Sequence, residues 1–497
     1  MIDLKLNMKD KFNIPKEVSH VTEALENAGF EAYIVGGCVR DLLIGKSPKD
    51  WDVTTNAKPE DIEKLFENTY YNNDYGTVGV VNEDVSDETL KVVEVTPYRL
   101  ESEYSDSRRP DSVEFSDSIE HDLKRRDFTI NAIAYSEGKG QIIDLYEGQK
   151  DIENGIVRAV GDPDVRFNED ALRILRAIRI SAELGFKIEE KTKESIKKDA
   201  QMLEKIAKER IKDEFIRIIM SDSPMESLEL AHEMGVLQFI VPELEEGIDV
   251  KQNQAHAFTV WEHNLRAVKH SADKKYPFEI RLASLFHDIA KPATSRWSEE
   301  KNDWTFHGHD VVGGRMTKKI LERLKFPKKQ TDKIVKLVRW HLFFSDPDQI
   351  TLSAVRRMVT NVGEDNIWHL MDVRECDRIG MGRPKANPYR LRKYKSMIEE
   401  ALRDPISVKM LKIDGARIME VTHETPGPKV GFILHALLEE VLEDPKLNTT
   451  EYLENTAKKL IKLSETELKK LGEKGKDKKA EAEEKEIAGL RGKHWVK

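Results

Sequence analysis

Near residue 165 the sequence changes its period, and that change decides the fold class. Beyond it, apolar residues recur at helical spacing, as in EDALRILRAIRISAELGF and KERIKDEFIRIIM, and helical patterning dominates to the end. Before it, EAYIVGG, KDWDVTT, GTVGVV and LKVVEVTPY are rich in β-branched residues and broken by Gly, Pro and Asn, which marks short strands. CVRDLLIGK reads as a helical turn between two of them, and residues 14–27 as an amphipathic helix. The expected class is α+β: a mixed-sheet head with helices, followed by a long all-α body. At 497 residues the chain exceeds one ordinary core, so three or four domains are expected.

Composition removes several function classes. Charged residues make up 35% and apolar residues 39%, which suits a soluble, helix-rich protein. No run of about 18 apolar residues is present, so no membrane span is expected. The charged N-terminal stretch MIDLKLNMKDKFNIPKEV lacks the apolar centre of a signal peptide. Two cysteines far apart, Cys38 and Cys376, argue against a disulfide framework and fit a reducing cytoplasm. The net charge of -10 does not advertise nucleic-acid binding, although local basic patches can still supply it.

KDWDVTT raises the first chemical question. Residues i and i+2 of a strand share a face, so Asp50 and Asp52 are expected to project together, with Trp51 and Val53 behind them. Two such carboxylates repel unless a cation lies between them. Magnesium takes oxygen ligands and bridges to substrate phosphates. Glu94, set among valines in VVEVT, is costly to bury without a role. The three together suit two-metal phosphoryl transfer; a lone D-x-D pair reads instead as solvated edge-strand charge. Just ahead, Gly36 and Gly37 stand between a strand and a helix, where backbone N–H groups can approach a phosphate. Arg40 offers its guanidinium fork to the same group.

The longer stretch IVGGCVRDLLIGKSPKDWDVTTNAKPEDI resembles the head motif of class II CCA-adding enzymes and bacterial poly(A) polymerases. The likeness continues in order over residues 20–190. YGTVGVV and VEVTPYR resemble the following strands, YSDSRRPDSVEF a flexible loop, and LKRRDFTINAIAY a sugar-recognition motif. The resemblance implies a polymerase-β-like nucleotidyltransferase head with Asp50, Asp52 and Glu94 as catalytic residues, the two aspartates holding Mg2+. It implies tRNA, CTP and ATP as partners, with Gly36, Gly37, Arg40 and Arg126 near the nucleotide and Asp127 and Asn131 at its ribose. Asp127 also reads as a helix cap.

EDALRILRAIR places Asp170, Arg173, Arg176 and Arg179 three residues apart, a slowly drifting stripe on a helix. Alone, the stripe reads as exposed salt bridging. The resemblance makes it an amino-acid template for the incoming base. Cytosine and adenine each offer an amine donor beside a ring-nitrogen acceptor, and uracil and guanine the reverse. An ionised Asp only accepts and an Arg only donates, so Asp170 beside Arg173 matches C and A. Arg176 and Arg179 then neutralise triphosphate or hold Arg173.

A second constellation follows: His263, His287 with Asp288, His309, His341 and Asp377. Imidazole and carboxylate suit divalent transition metals. The set resembles the binuclear HD phosphohydrolase domain, which implies phosphodiesterase and phosphatase action toward RNA 2′,3′-cyclic ends and small phosphates. His307 is an alternative to His309.

The expected division is a catalytic head at 1–155, a helical neck for template and RNA at 156–245, an HD domain at 246–385, a helical tRNA-binding body at 386–465 and a charged tail, frayed or disordered, at 466–497. Lys429 is read either as a tRNA backbone contact or as plain helix packing. The rival activities are poly(A) polymerase, a CC-adding or A-adding enzyme, and an HD phosphohydrolase that uses the head only to bind RNA. Arg108 to Asp111 supply the basic flexible-loop motif that a CC-adding enzyme lacks.

Overall fold

The computed structural model describes residues 12–71, 76–83, 85–101, 113–254, 256–343 and 350–472. The chain divides into two compact units, Met1–Ile240 and Val241–Lys497. Arg108 to Asp111 and most of the charged tail lie outside the described residues; the tail's start, Glu465–Gly472, is helical.

The first unit is built on β1 Ala32–Val35, β2 Trp51–Thr55, β3 Thr69–Tyr71, β4 Val78–Val81, β5 Val92–Pro97, β6 Arg99–Glu101, β7 Val113–Phe115, β8 Ile133–Ser136 and β9 Gln141–Asp144. Seven of them form one sheet in the order β3-β4-β5-β2-β1-β8-β9, while β6 and β7 pair apart. The sheet is mixed: β2 and β5 run parallel, and β1 pairs antiparallel with both β2 and β8.

Period-two alternation explains its two faces. Trp51, Val53, Val93 and Val95 are buried in one cluster with Val18, Val21 and Leu25 of helix Lys16–Asn27 and Ile62 of helix Pro59–Leu65. The residues between them, Asp52 and Glu94, turn to the other face. They are Cα partners in the parallel register, so the sheet itself sets their spacing.

Helices complete this unit, among them Pro163–Glu169, Leu172–Leu184 and Lys208–Met220. A two-stranded parallel pair, Ile156–Val157 with Lys187–Ile188, interrupts the helical pattern. The described residues of the second unit are helical apart from loops and the hairpin Arg296–Ser298 with Asp303–Thr305. Helices Val260–Asp273, Phe278–Phe286, Lys328–Trp340 and Glu364–Gly380 bury Leu265, Val268, Leu282, Phe286, Leu337 and Leu370 completely. Among the described residues no helix is long and apolar enough to cross a membrane.

Candidate active site

In the first unit the glycine turn packs against the carboxylates. Gly36 has φ 87° and ψ -137°, a conformation reserved for glycine. A β-carbon there would lie 2.9 Å from Arg126 Nη1 and 3.5 Å from Asp52 Oδ2. Gly37 opens helix Gly37–Leu43. Burial, aided by Glu94 and Asp50 and opposed by Arg126, pushes the Asp52 carboxyl up to about 6. Crowded acids of this kind fit a cation, and oxygen donors on adjacent strands fit magnesium.

Asp50 departs from expectation. It lies one residue before β2 and is exposed, so the two aspartates are not a strand pair. The chain bends into the sheet at Trp51, whose buried indole fixes where the strand begins. The Asp50 charge still acts on Asp52.

A hydrogen-bonded relay runs from the glycine helix to the long helix 172–184. Arg40 Nη1 donates to Asn131 Oδ1 at 2.8 Å, Asn131 Nδ2 to Asp127 Oδ1 at 3.2 Å, and Arg176 Nε to Asp127 Oδ2 at 2.7 Å. Burial opposes ionisation of Asp127, but the Arg176 guanidinium outweighs it and holds the carboxyl down at about 2. Asp127 also accepts from its neighbour's backbone, Phe128 N–H, at 2.8 Å. Arg126 is aimed from behind by buried Asp122, which accepts from it at 3.0 Å.

The expected arginine stripe is broken up. Asp170 is not helical: its extended backbone (φ -148°, ψ 101°) joins helix Pro163–Glu169 to the next helix. Its carboxylate takes both prongs of Arg210, at 3.1 and 2.7 Å. Arg173 is buried and donates to Glu169 at 2.7 Å and to the carbonyls of Arg166 and Arg125 at 3.2 and 2.9 Å. Arg179 pairs with buried Glu214 and with Glu183. The helix packs against its neighbours on several sides, so each arginine meets a different acid. Arg210, Glu214, Glu169 and Asp122 were not foreseen. Asp122 and Glu214 are buried while Arg210 and Glu169 are partly exposed; what singles all four out is a charged partner, which only tertiary packing reveals.

In the second unit the six expected metal ligands converge. His263 and His287 Nε2 lie 2.9 and 3.2 Å from Asp288 Oδ2. His309 and His341 Nε2 lie 3.2 and 3.5 Å from its Oδ1. Asp377 Oδ1 is 3.5 Å from both His263 and His287. Three rings have their Nδ1–H committed to a carbonyl three residues back: His287 to Ser284 at 2.8 Å, His309 to Phe306 at 2.5 Å and His341 to Val338 at 2.6 Å. Their Nε2 atoms therefore face the carboxylates, where a proton or a metal ion must lie between nitrogen and oxygen. Against the effect of burial, Asp288 and Asp377 push His287 up to about 10; a metal ion bound at the centre would take the place of that proton on Nε2. His309, not exposed His307, belongs to it. His256, absent from the expected set, lies beside it; it precedes the first helix of this group and carried no periodic signal. Lys429 faces Glu424 at 3.8 Å at the start of helix Pro428–Glu443.

Three family descriptions match the chain: poly A polymerase head domain at residues 32–158, probable RNA and SrmB-binding site of polymerase A at 185–248, and HD domain at 255–379. The CCA-adding enzyme of Ligilactobacillus salivarius is 32% identical over 457 residues, covering 92% of this chain and 98% of that one. The chain belongs to the CCA-adding enzyme family. That makes it a nucleotidyltransferase. The enzyme of Leuconostoc mesenteroides is 43% identical over 261 residues, 51% of this chain and 63% of that relative. Among solved structures, the Bacillus stearothermophilus CCA-adding enzyme in complex with CTP matches with TM-score 0.66 and 26% identity, covering 90% of this chain and 98% of that one. The Thermotoga maritima family member complexed with tRNA, at 19% identity, TM-score 0.52 and coverage of 91% and 98%, shares the fold.

Proposed function

We propose that this chain adds C, C and A to the 3′ end of tRNA from CTP and ATP, without a nucleic-acid template. The observation that carries the reading is the register of Asp52 beside Glu94 on parallel strands, faced by Gly36 and Arg126, in a chain that matches a CCA-adding enzyme along nearly its whole length. Asp50, Asp52 and Glu94 would hold Mg2+. Bound there, magnesium supplies activation of the tRNA 3′ hydroxyl and neutralises charge on the triphosphate. The backbone at Gly36 and Gly37 and the Arg126 guanidinium receive phosphate oxygens. Arg40, Asn131 and Asp127 face the ribose as one linked unit.

Base choice falls to Asp170 and Arg173. Arg210 orients the Asp170 carboxylate with two hydrogen bonds, so it accepts the exocyclic amine of C or A. Among the described residues, the bonds of Arg173 use both Nη1 hydrogens and one on Nη2, leaving Nε–H and one Nη2–H to donate to the base. U and G present the reverse pattern and leave these groups unpaired. The tRNA is read by shape and phosphate through the neck and the body at 386–465. Two buried thiols without a disulfide suit the cytoplasm.

The convergence of Nε2 atoms on Asp288 and Asp377 favours a second activity at the HD centre, metal-dependent phosphodiester or phosphomonoester hydrolysis. Incorporation of each single NTP, and of CTP plus ATP, onto tRNA transcripts ending before, within or just short of CCA tests the first reading. Ordered C, C, A with a clean stop is expected. Long A tails would make the chain a poly(A) polymerase, A added only to CC ends an A-adding enzyme, and no incorporation an HD phosphohydrolase with an RNA-binding head. Asp50→Ala should abolish addition and spare HD hydrolysis; equal loss of both would sink the two-site reading.

A further inference from the structure

The histidine centre is lopsided. On one side His309 and His341 approach Asp288 Oδ1. On the other, His263 and His287 approach Oδ2 and Asp377, and a further ring stands there. His256 offers a nitrogen that lies within 4.8 Å of donor atoms of His263, Asp288 and Asp377. Its Nδ1 is 2.7 Å from Asn253 Oδ1. That oxygen only accepts, so Nδ1 carries the hydrogen and Nε2 the lone pair. This is the same tautomer that backbone carbonyls impose on His287, His309 and His341. A hydrogen-bond partner on the far nitrogen is also the usual support of a metal-binding imidazole.

A second observation concerns charge. The Lys291 ammonium is buried, 3.3 Å from His256 Nε2, 2.6 Å from Asp288 Oδ2 and 2.6 Å from Gln252 Oε1. A cation thus already stands between His256 and Asp288, which shows that the two can share one.

We propose that His256 is an additional ligand for the ion held by His263, Asp288 and Asp377. With His287 on the same side, these donors close that subsite, while Asp288, His309 and His341 leave the neighbouring subsite open to water and a phosphate ester. Closed sets hold structural ions and open sets catalytic ones, so the two ions differ in retention. Loading displaces the ammonium from His256 and leaves it Gln252 as partner.

The inference rests on the HD centre being a metal site. The test uses the full chain carrying Asp52→Asn, so that the head carboxylates contribute no ion. Chelated protein is reloaded with Co2+ or Mn2+, challenged with a graded competing chelator, and its bound ions counted by mass spectrometry. The parent should release two ions in two separate steps. His256→Ala should weaken the tighter step by at least the roughly 10- to 100-fold that supporting partners alone carry. His309→Ala should remove the weaker step only. His256→Gln keeps a polar side chain without the imidazole, and should lose the same step in protein whose far-ultraviolet circular dichroism matches the parent. Unchanged retention of both ions by His256→Gln overturns the assignment. A parent that binds no ion overturns the metal reading of the whole centre, which is a different failure.

Discussion

Replacing Gly36 by alanine separates two costs that are usually confounded. The first is backbone strain. At φ 87° and ψ -137° a side chain is confined to a sparsely populated region, which costs about 1–3 kcal/mol. The second is steric and local. The new methyl would stand 2.9 Å from Arg126 Nη1, and ordinary contact requires about 0.6 Å more. Arg126 is the flexible end of a side chain, so it gives way, and in doing so it leaves its place beside Asp52. Misplacement on the scale of 1 Å at a reacting centre costs on the order of 10²-fold in rate. Gly29 supplies the control: its φ is 89°, and a β-carbon there meets nothing within 4 Å. Thermal unfolding and CTP incorporation onto tRNA lacking CCA should be measured for both variants. Both should lose stability by a similar amount, and only Gly36→Ala should lose about 10²-fold in the rate of addition. Equal activity of the two variants would refute the argument that the glycine is required for its approach to Arg126.

Three further outcomes follow from the geometry. Because hydrogen-bonding sites reject mismatched ligands by about 10⁴–10⁵, Asp170→Ala should raise UTP and GTP incorporation relative to CTP by at least about tenfold; Arg210→Ala should act in the same direction, and single-nucleotide assays decide. Asp127 is held at about 2 when folded against about 3.9 unfolded, so it contributes about 2–3 kcal/mol that is present above pH 4 and lost as pH falls toward 2. The stability deficit of Asp127→Asn in urea should therefore be large at pH 7 and shrink near pH 3. Burial pushes both thiols, Cys38 and Cys376, up to about 12, so a disulfide reagent at pH 8 should find no fast thiol in native protein and two after unfolding.

What could be read from the sequence was whatever depends on near neighbours. Alternation in VVEVTP set Glu94 apart from its valines, and the glycine pair between strand and helix marked Gly36. The six HD candidates stood out by residue type and by their likeness to the HD pattern. What stayed hidden depends on burial and on contacts far along the chain. Asp50 looked like a strand residue because the D-x-D pattern does not say where Trp51 enters the sheet. Asp170 looked like the first step of a helical stripe, but its partner Arg210 lies 40 residues on, and packing between helices made that pair. His256 sits in a connecting segment without a period, so only the assembled centre reveals it.

The imidazoles of His287 and His341 follow directly on helices Phe278–Phe286 and Lys328–Trp340, and each donates its Nδ1–H to a carbonyl of that last turn. Such terminal carbonyls have no partner inside the helix, so the ring serves as an end-piece for the helix before it serves anything else. Stripping a bound ion with a chelator would leave these end-pieces in position. In small zinc-dependent modules, by contrast, the ion and the fold are gained and lost together. Here the histidine cluster is a by-product of ending two helices at the same place, and its geometry is set before any ion binds.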